Sequence, residues 1–166
     1  MENSIPALII AGVLIIAAAV LGNVTSRSVG NVGDAWRDME AVSESRLGTD
    51  LSVVSASLDA PGQTVTAVLQ NNGRTSISSF DHMDVIANYD GLTGRYSVWL
   101  PYTELASQPD NTWRVTSILN DNKNPGILDT GEQLTISVKV APPVTGPANR
   151  WISLATDSGV SYTVNF

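Results

Sequence analysis

Seventeen consecutive residues, Ile5–Leu21, read IPALIIAGVLIIAAAVL and carry no charge and no hydrogen-bonding side chain. About ten of them are large aliphatics, and at about 1.5–3 kcal/mol each their exposure to water would forgo about 15–30 kcal/mol of transfer free energy. No acidic domain of this size leaves such a run uncovered. Its solvent is either a bilayer or other copies of the same helix.

With 166 residues the chain has room for one globular domain and an appendage. It has no cysteine, which excludes disulfides, thiolate metal sites and thiol nucleophiles. A net charge of −7 and a pI near 4.4 argue against nucleic acid, whose phosphates require a basic face. The acidity is spread along the chain, as on a solvated exterior.

The apolar run is longer than the roughly 7–15-residue core of an export signal. Only Met1, Glu2, Asn3 and Ser4 precede it, and the next basic residue is Arg27. A single static membrane span is the alternative. As a helix the run reaches about 26 Å, the short end of what crosses a hydrocarbon core. A static anchor normally has a basic cytoplasmic flank, which is missing here. That is what remains when a short basic leader has been cleaved, so the expectation is a processed N-terminus.

Beyond the run, Val29, Val32, Trp36, Met39, Val42 or Ser43, and Leu47 recur at three- and four-residue spacing, with Asp34, Arg37, Asp38, Glu40, Glu44 and Arg46 on other faces. One helix is expected from about Ser4 to Leu47, with Pro6 in its first turn and Gly48 as terminator. Gly22, Gly30 and Gly33 each cost about 1 kcal/mol inside an isolated helix. Gly22–Ser26 is where it is expected to loosen.

From Asp50 the period becomes two. Leu134, Ile136, Val138 and Val140 alternate with polar residues, as do Val160, Tyr162, Val164 and Phe166. Further strands are expected at Leu51–Leu58, Thr64–Gln70, Met83–Tyr89, Arg95–Tyr102, Trp113–Leu119 and Trp151–Thr156, separated by turn clusters such as Ala60-Pro61-Gly62, Asn71-Asn72-Gly73, Asp90-Gly91 and Asn124-Pro125-Gly126. Such short strands make an antiparallel sandwich or barrel. Its expected core is Val53, Val65, Leu69, Val85, Val98, Ile118, Leu134, Ile136, Val138, Ile152, Leu154 and Val164. The fold class is therefore α+β, with a helical segment over 1–48 and an antiparallel β domain, sandwich or barrel, over 49–166.

This layout resembles the type IV pilin superfamily, and most of all its archaellin branch. The likeness is carried by Ile5–Leu21, by the amphipathic continuation to Leu47, and by two sandwich phrases. The first is VLQNNGRTSI at Val68–Ile77, a strand, an Asn-Gly turn and a second strand. The other is NPGILDTGEQLTISV at Asn124–Val138. Similar phrases occur in the archaellum's sandwich-domain stator proteins. Bacterial pilins carry a glutamate at the fifth mature position, whereas Ile5 stands here and the nearest acid is Glu2, which favours the archaellin branch. The resemblance implies an immunoglobulin-like β-sandwich as the outer domain and a self-assembling motility filament at the cell surface. Ile5, Leu8, Ile9, Gly12, Val13, Leu14, Ile16, Val20 and Leu21 would form its helix core. It also implies a cytoplasmic-membrane precursor and filament-assembly machinery as a partner, with no small-molecule substrate. A membrane-anchored sandwich protein such as an archaellum stator, or an adhesive type IV pilus subunit, is the alternative.

Catalysis has little support. His82, the one histidine, stands between Asp81 and Asp84 and reads as a surface residue, and no catalytic residue or cofactor is expected. Alternating oxygen side chains in the stretch from Asn120 to Glu132 resemble a calcium loop, with Asp121, Asn122, Asn124, Asp129 and Glu132 as candidate ligands. The alternative is an ordinary Asn- and Asp-rich turn. Asn23-Val24-Thr25 is a glycosylation sequon at Asn23. Trp99, Trp113 and Trp151 are expected in the core or in subunit contacts, and Trp36 on the helix stripe.

Overall fold

The computed structural model describes residues 4–166, with side chains over 9–22 and 31–166. One helix, α1 (Ser4–Gly48), starts with Pro6 in its first turn, where a missing N–H is harmless, and continues through Gly22, Gly30 and Gly33. Among the described residues no helix is long and apolar enough to cross a membrane.

Eight strands follow: β1 (Leu51–Leu58), β2 (Thr64–Asn71), β3 (Asp84–Gly91), β4 (Gly94–Leu100), β5 (Thr112–Leu119), β6 (Gln133–Lys139), β7 (Trp151–Ala155) and β8 (Ser161–Asn165). A 3-10 turn, Phe80–His82, precedes β3. They form two antiparallel four-stranded sheets, ordered β1-β2-β6-β5 and β4-β3-β7-β8. The central strands carry the clean alternation. Val65, Ala67 and Leu69 of β2 stand opposite Val138, Ile136 and Leu134 of β6, and all six are buried. In the second sheet Val85 and Ala87 of β3 face Leu154 and Ile152 of β7, again buried. Side chains of period two thus put one face of each sheet in a shared core. Trp113, Tyr89, Leu100 and Leu128 fill it further.

Several expectations change. Val53 is not core but 42 % exposed. It lies on an edge strand whose register shifts between Val53 and Ser55, and this bulge turns the strand out of step with the sheet. Val98 and Ile118 are only partly buried, because β4 and β5 are edges. The Asn-Gly pair makes no hairpin. Asn71 ends β2 fully buried, its amide donating to the carbonyls of Thr75 and Leu128 while its Oδ1 accepts from the N–H of Gly73. The chain then crosses to the second sheet, and Ile77 makes only an isolated bridge with Leu128. The β3–β4 hairpin turns at Leu92-Thr93, between paired Gly91 and Gly94, two residues beyond the expected Asp90-Gly91.

The chain divides into two units, 1–43 and 44–166. The second begins at Glu44, ahead of the expected boundary at 49, because the last turn of α1 is bonded into the sandwich.

Candidate functional site

The apolar segment of α1 offers no polar face. At 100° per residue, the run from Ile9 to Leu21 places Ile, Leu, Val, Ala or Gly in every direction around the axis. Ile9, Ile10, Val13, Leu14, Ile15, Ile16, Val20 and Leu21 are between 56 and 69 % exposed. A methyl group at Gly12 would meet nothing within 4 Å. Ile5, Leu8 and Asn23 have side chains outside the described residues. Farther along, Val32, Trp36, Met39, Val42 and Leu47 are also exposed. The only ion pair described on this stretch, Arg37 to Asp34 at 3.3 Å, is open to solvent and contributes little.

The closing turn of α1 is built differently. Arg46 donates from Nε to the carbonyl of Ser158 at 2.7 Å. The Thr49 hydroxyl donates to the carbonyl of Ser45 and lies 3.3 Å from the Ser158 hydroxyl. The carbonyl of Gly48 accepts from the N–H groups of Arg74 and Thr75, and that of Asp50 from those of Asn72 and Gly73. Tyr162 donates its phenol proton to the carbonyl of Thr49, and burial, with the Asp50 carboxylate nearby, pushes that phenol's pKa up. These bonds satisfy carbonyls that a helix end otherwise leaves open. A Cβ at Gly73 would collide with the Gly48 carbonyl oxygen and the Asp50 nitrogen, so the loop closes only around glycine. Sequence reasoning missed this junction. Gly48 and the Asn71-Asn72-Gly73 cluster signal a helix end and a turn, but nothing in the sequence pairs the two.

Three of the candidate calcium ligands, Asp121, Asp129 and Glu132, hold hydrogen bonds within their own loop and to Ser76. Asp129, buried, accepts from the Ser76 hydroxyl at 2.5 Å and from the Asn124 amide at 2.7 Å. These two donors, with the Lys123 charge, hold its carboxyl below the usual range against the opposing effect of burial. Glu132 accepts from the N–H of Asp129, and Asp121 from that of Gly126, while Asn122 is exposed. Among the described residues no group of three or more acidic or histidine side chains is placed to hold a metal ion. Asp129 and Glu132 direct oxygens to the backbone and to neighbouring side chains, while Asp121 gives Oδ2 to the N–H of Gly126 and keeps its buried Oδ1 without a hydrogen-bond partner.

His82 is exposed, 3.8 Å from Asp81. A cavity of about 600 Å³ opens beside it, lined by Phe80, Asp81, Tyr102, Glu104 and Asp121 among others. The tryptophans separate: Trp113 is buried edge-on to Tyr102, Trp151 is half-buried, and Trp99 is 58 % exposed with its indole N–H donated to Asp84 at 2.9 Å.

No family model matches the chain, and no curated protein does. Among solved structures it is similar to the archaellum periplasmic stator protein FlaG from Sulfolobus acidocaldarius, with 25 % identity over 70 % of this chain and 99 % of that one at a TM-score of 0.47. It is also similar to the periplasmic stator complex FlaF and FlaG of the same organism, with 24 % identity over 69 % and 87 % of the two chains at 0.46. A third likeness is to the archaeal flagellin FlaB1 from Methanocaldococcus jannaschii, with 14 % identity over 71 % and 88 % at 0.50. The structural neighbours of this chain are archaellum proteins. At 14 % identity the flagellin likeness is one of fold. In this fold the buried core belongs to the two sheets, and the exposed aliphatic segment to the other unit.

Proposed function

We propose that this chain is a structural subunit of an extracellular helical filament of the archaellum type, polymerised through α1. One observation carries the proposal: eight large aliphatic side chains between Ile9 and Leu21 are exposed on all sides of one helix. A helix apolar all round belongs in a larger core or in lipid. Covering what remains exposed of those eight gains about 7–16 kcal/mol, as much as the net stability of a whole domain. Ala7, Ala11, Gly12 and Ala17–Ala19 allow the close helix approach such a bundle needs. Copies related by one repeated rotation and rise meet through heterologous contacts, which propagate as a helical polymer. Before assembly the same segment would hold the subunit at the cytoplasmic membrane, where filament-assembly machinery would take it up. The role is mechanical, with no catalytic residue and no cofactor.

The second reading is a membrane-anchored sandwich protein such as an archaellum stator. The same exposed helix supports it, because a bilayer covers the aliphatic surface as well as sister helices do. Electron microscopy of material sheared from cells tests both readings. Long uniform fibres built of this chain support the first; dispersed, detergent-dependent particles overturn it and leave the anchor.

A further inference from the structure

A sheet edge presents unpaired N–H and C=O groups that invite another strand, and proteins blunt such edges unless they use them. Three of the four edges here are blunted. β1 is bulged between Val53 and Ser55. β5 is bulged between Val115 and Ser117, and Trp113 on it already exchanges backbone bonds with Pro101 and Thr103. β8 is five residues long and lies beside β1. The fourth, β4, has no bulge, no proline and one charge, Arg95, and it pairs with β3 alone. Its outward side chains include Trp99, and the adjoining turn exposes Leu92 at 84 %.

We propose that β4 is a self-pairing edge, on which β4 of a second copy adds antiparallel about a two-fold axis at Ser97. The residue pattern of β4 is complementary to itself in this register. Arg95 falls opposite Trp99 of the second copy and Trp99 opposite Arg95, a cation over an aromatic face made twice. On the other face Tyr96 meets Val98 in the same reciprocal way. Both anchors are held in advance. Arg95 is fixed by the Asp90 carboxylate at 3.3 Å and the Asn149 carbonyl at 2.8 Å, and the Trp99 indole by Asp84. Ordering them on pairing therefore costs little.

This pairing is independent of the filament reading. A two-fold relation does not occur between subunits that all point along one polar axis, so it joins chains of separate assemblies or unassembled chains.

The test uses the full chain dispersed in detergent. It contains no cysteine, so Ser97→Cys introduces a single thiol. Directly opposed residues of an antiparallel pair have Cα atoms about 4.5–5.5 Å apart, within disulfide reach. Under mild oxidation Ser97→Cys is expected to yield about tenfold more linked dimer than Ser161→Cys on the exposed start of β8, and Trp99→Lys added to it is expected to cut that yield about tenfold by setting like charges opposite each other. Equal linking at the two positions overturns the proposal, and so does linking that Trp99→Lys leaves unchanged. Ser97→Lys, at an exposed site, supplies the check without cysteine. Sedimentation velocity should show the parent chain dimerising and this variant not; two identical profiles count against the pairing.

Discussion

Arg46, in the last turn of α1, donates from Nε to the carbonyl oxygen of Ser158, 2.7 Å away and 112 residues later in the chain. The guanidinium lies over Gly159, where a Cβ would come within 3.1 Å of it. The bond ties the end of the helix to the β7–β8 turn, and so to the far end of the sequence.

Arg46→Ala is expected to destabilise the sandwich by about 1 kcal/mol, since a charge-assisted bond is lost at an exposed site. A fall in melting temperature of about 3–6 °C by circular dichroism is the corresponding reading. Arg46→Lys should recover only part of it, because an ammonium lacks the fixed donor fork.

Gly73→Ala is expected to cost about 1–3 kcal/mol, as the added methyl meets the backbone of Gly48 and Asp50 and the junction has to shift. Gly12→Ala is the matched control: nothing lies within 4 Å of it, and the melting of the sandwich should not change. Denaturant midpoints of the two variants check the contrast.

Asp129 gives a pH dependence of defined sign. Its folded pKa is lowered by the Ser76 and Asn124 donors, so its contribution is present above the unfolded value near 3.9 and is lost as pH falls through the folded one. Between pH 7 and pH 3 the parent chain should therefore lose more unfolding free energy than Asp129→Asn. An identical loss in both would show that Asp129 is not the group titrating.

Gly12→Glu tests the filament core directly. In the proposed filament the substitution would set an unpaired charge between packed sister helices, at a cost that apolar neighbours do not offset. Cells carrying it should show no fibres, while the sandwich melts as the parent does. Intact fibres of normal diameter would refute packing through this face.

Pattern carried much of the fold. Leu134, Ile136 and Val138 alternate because strand side chains have period two, and any buried sheet face must show it in the sequence. The central strands were therefore legible to within a residue or two. Edges were not. Val53 and Val98 have the residue type of a core position, but an edge strand has a neighbour on one side only, and the bulge in β1 rotates its side chains away. The alternation of oxygen side chains from Asn120 to Glu132 is legible in the sequence, whereas the donors that meet Asp129 and Glu132, here Ser76, Asn124 and the backbone, are set by the tertiary fold.

By itself, then, the sequence determined that residues 5–21 need a non-aqueous neighbour and that residues 49–166 make an antiparallel β domain. Both follow from the local chemistry of consecutive side chains. The tertiary structure alone decided that Asn71 and Gly73 receive the end of α1, that Arg46 meets Ser158, and that β4 is the one edge left open. Those are relations between residues far apart in the chain, set by strand order and bulges, and no local pattern encodes them.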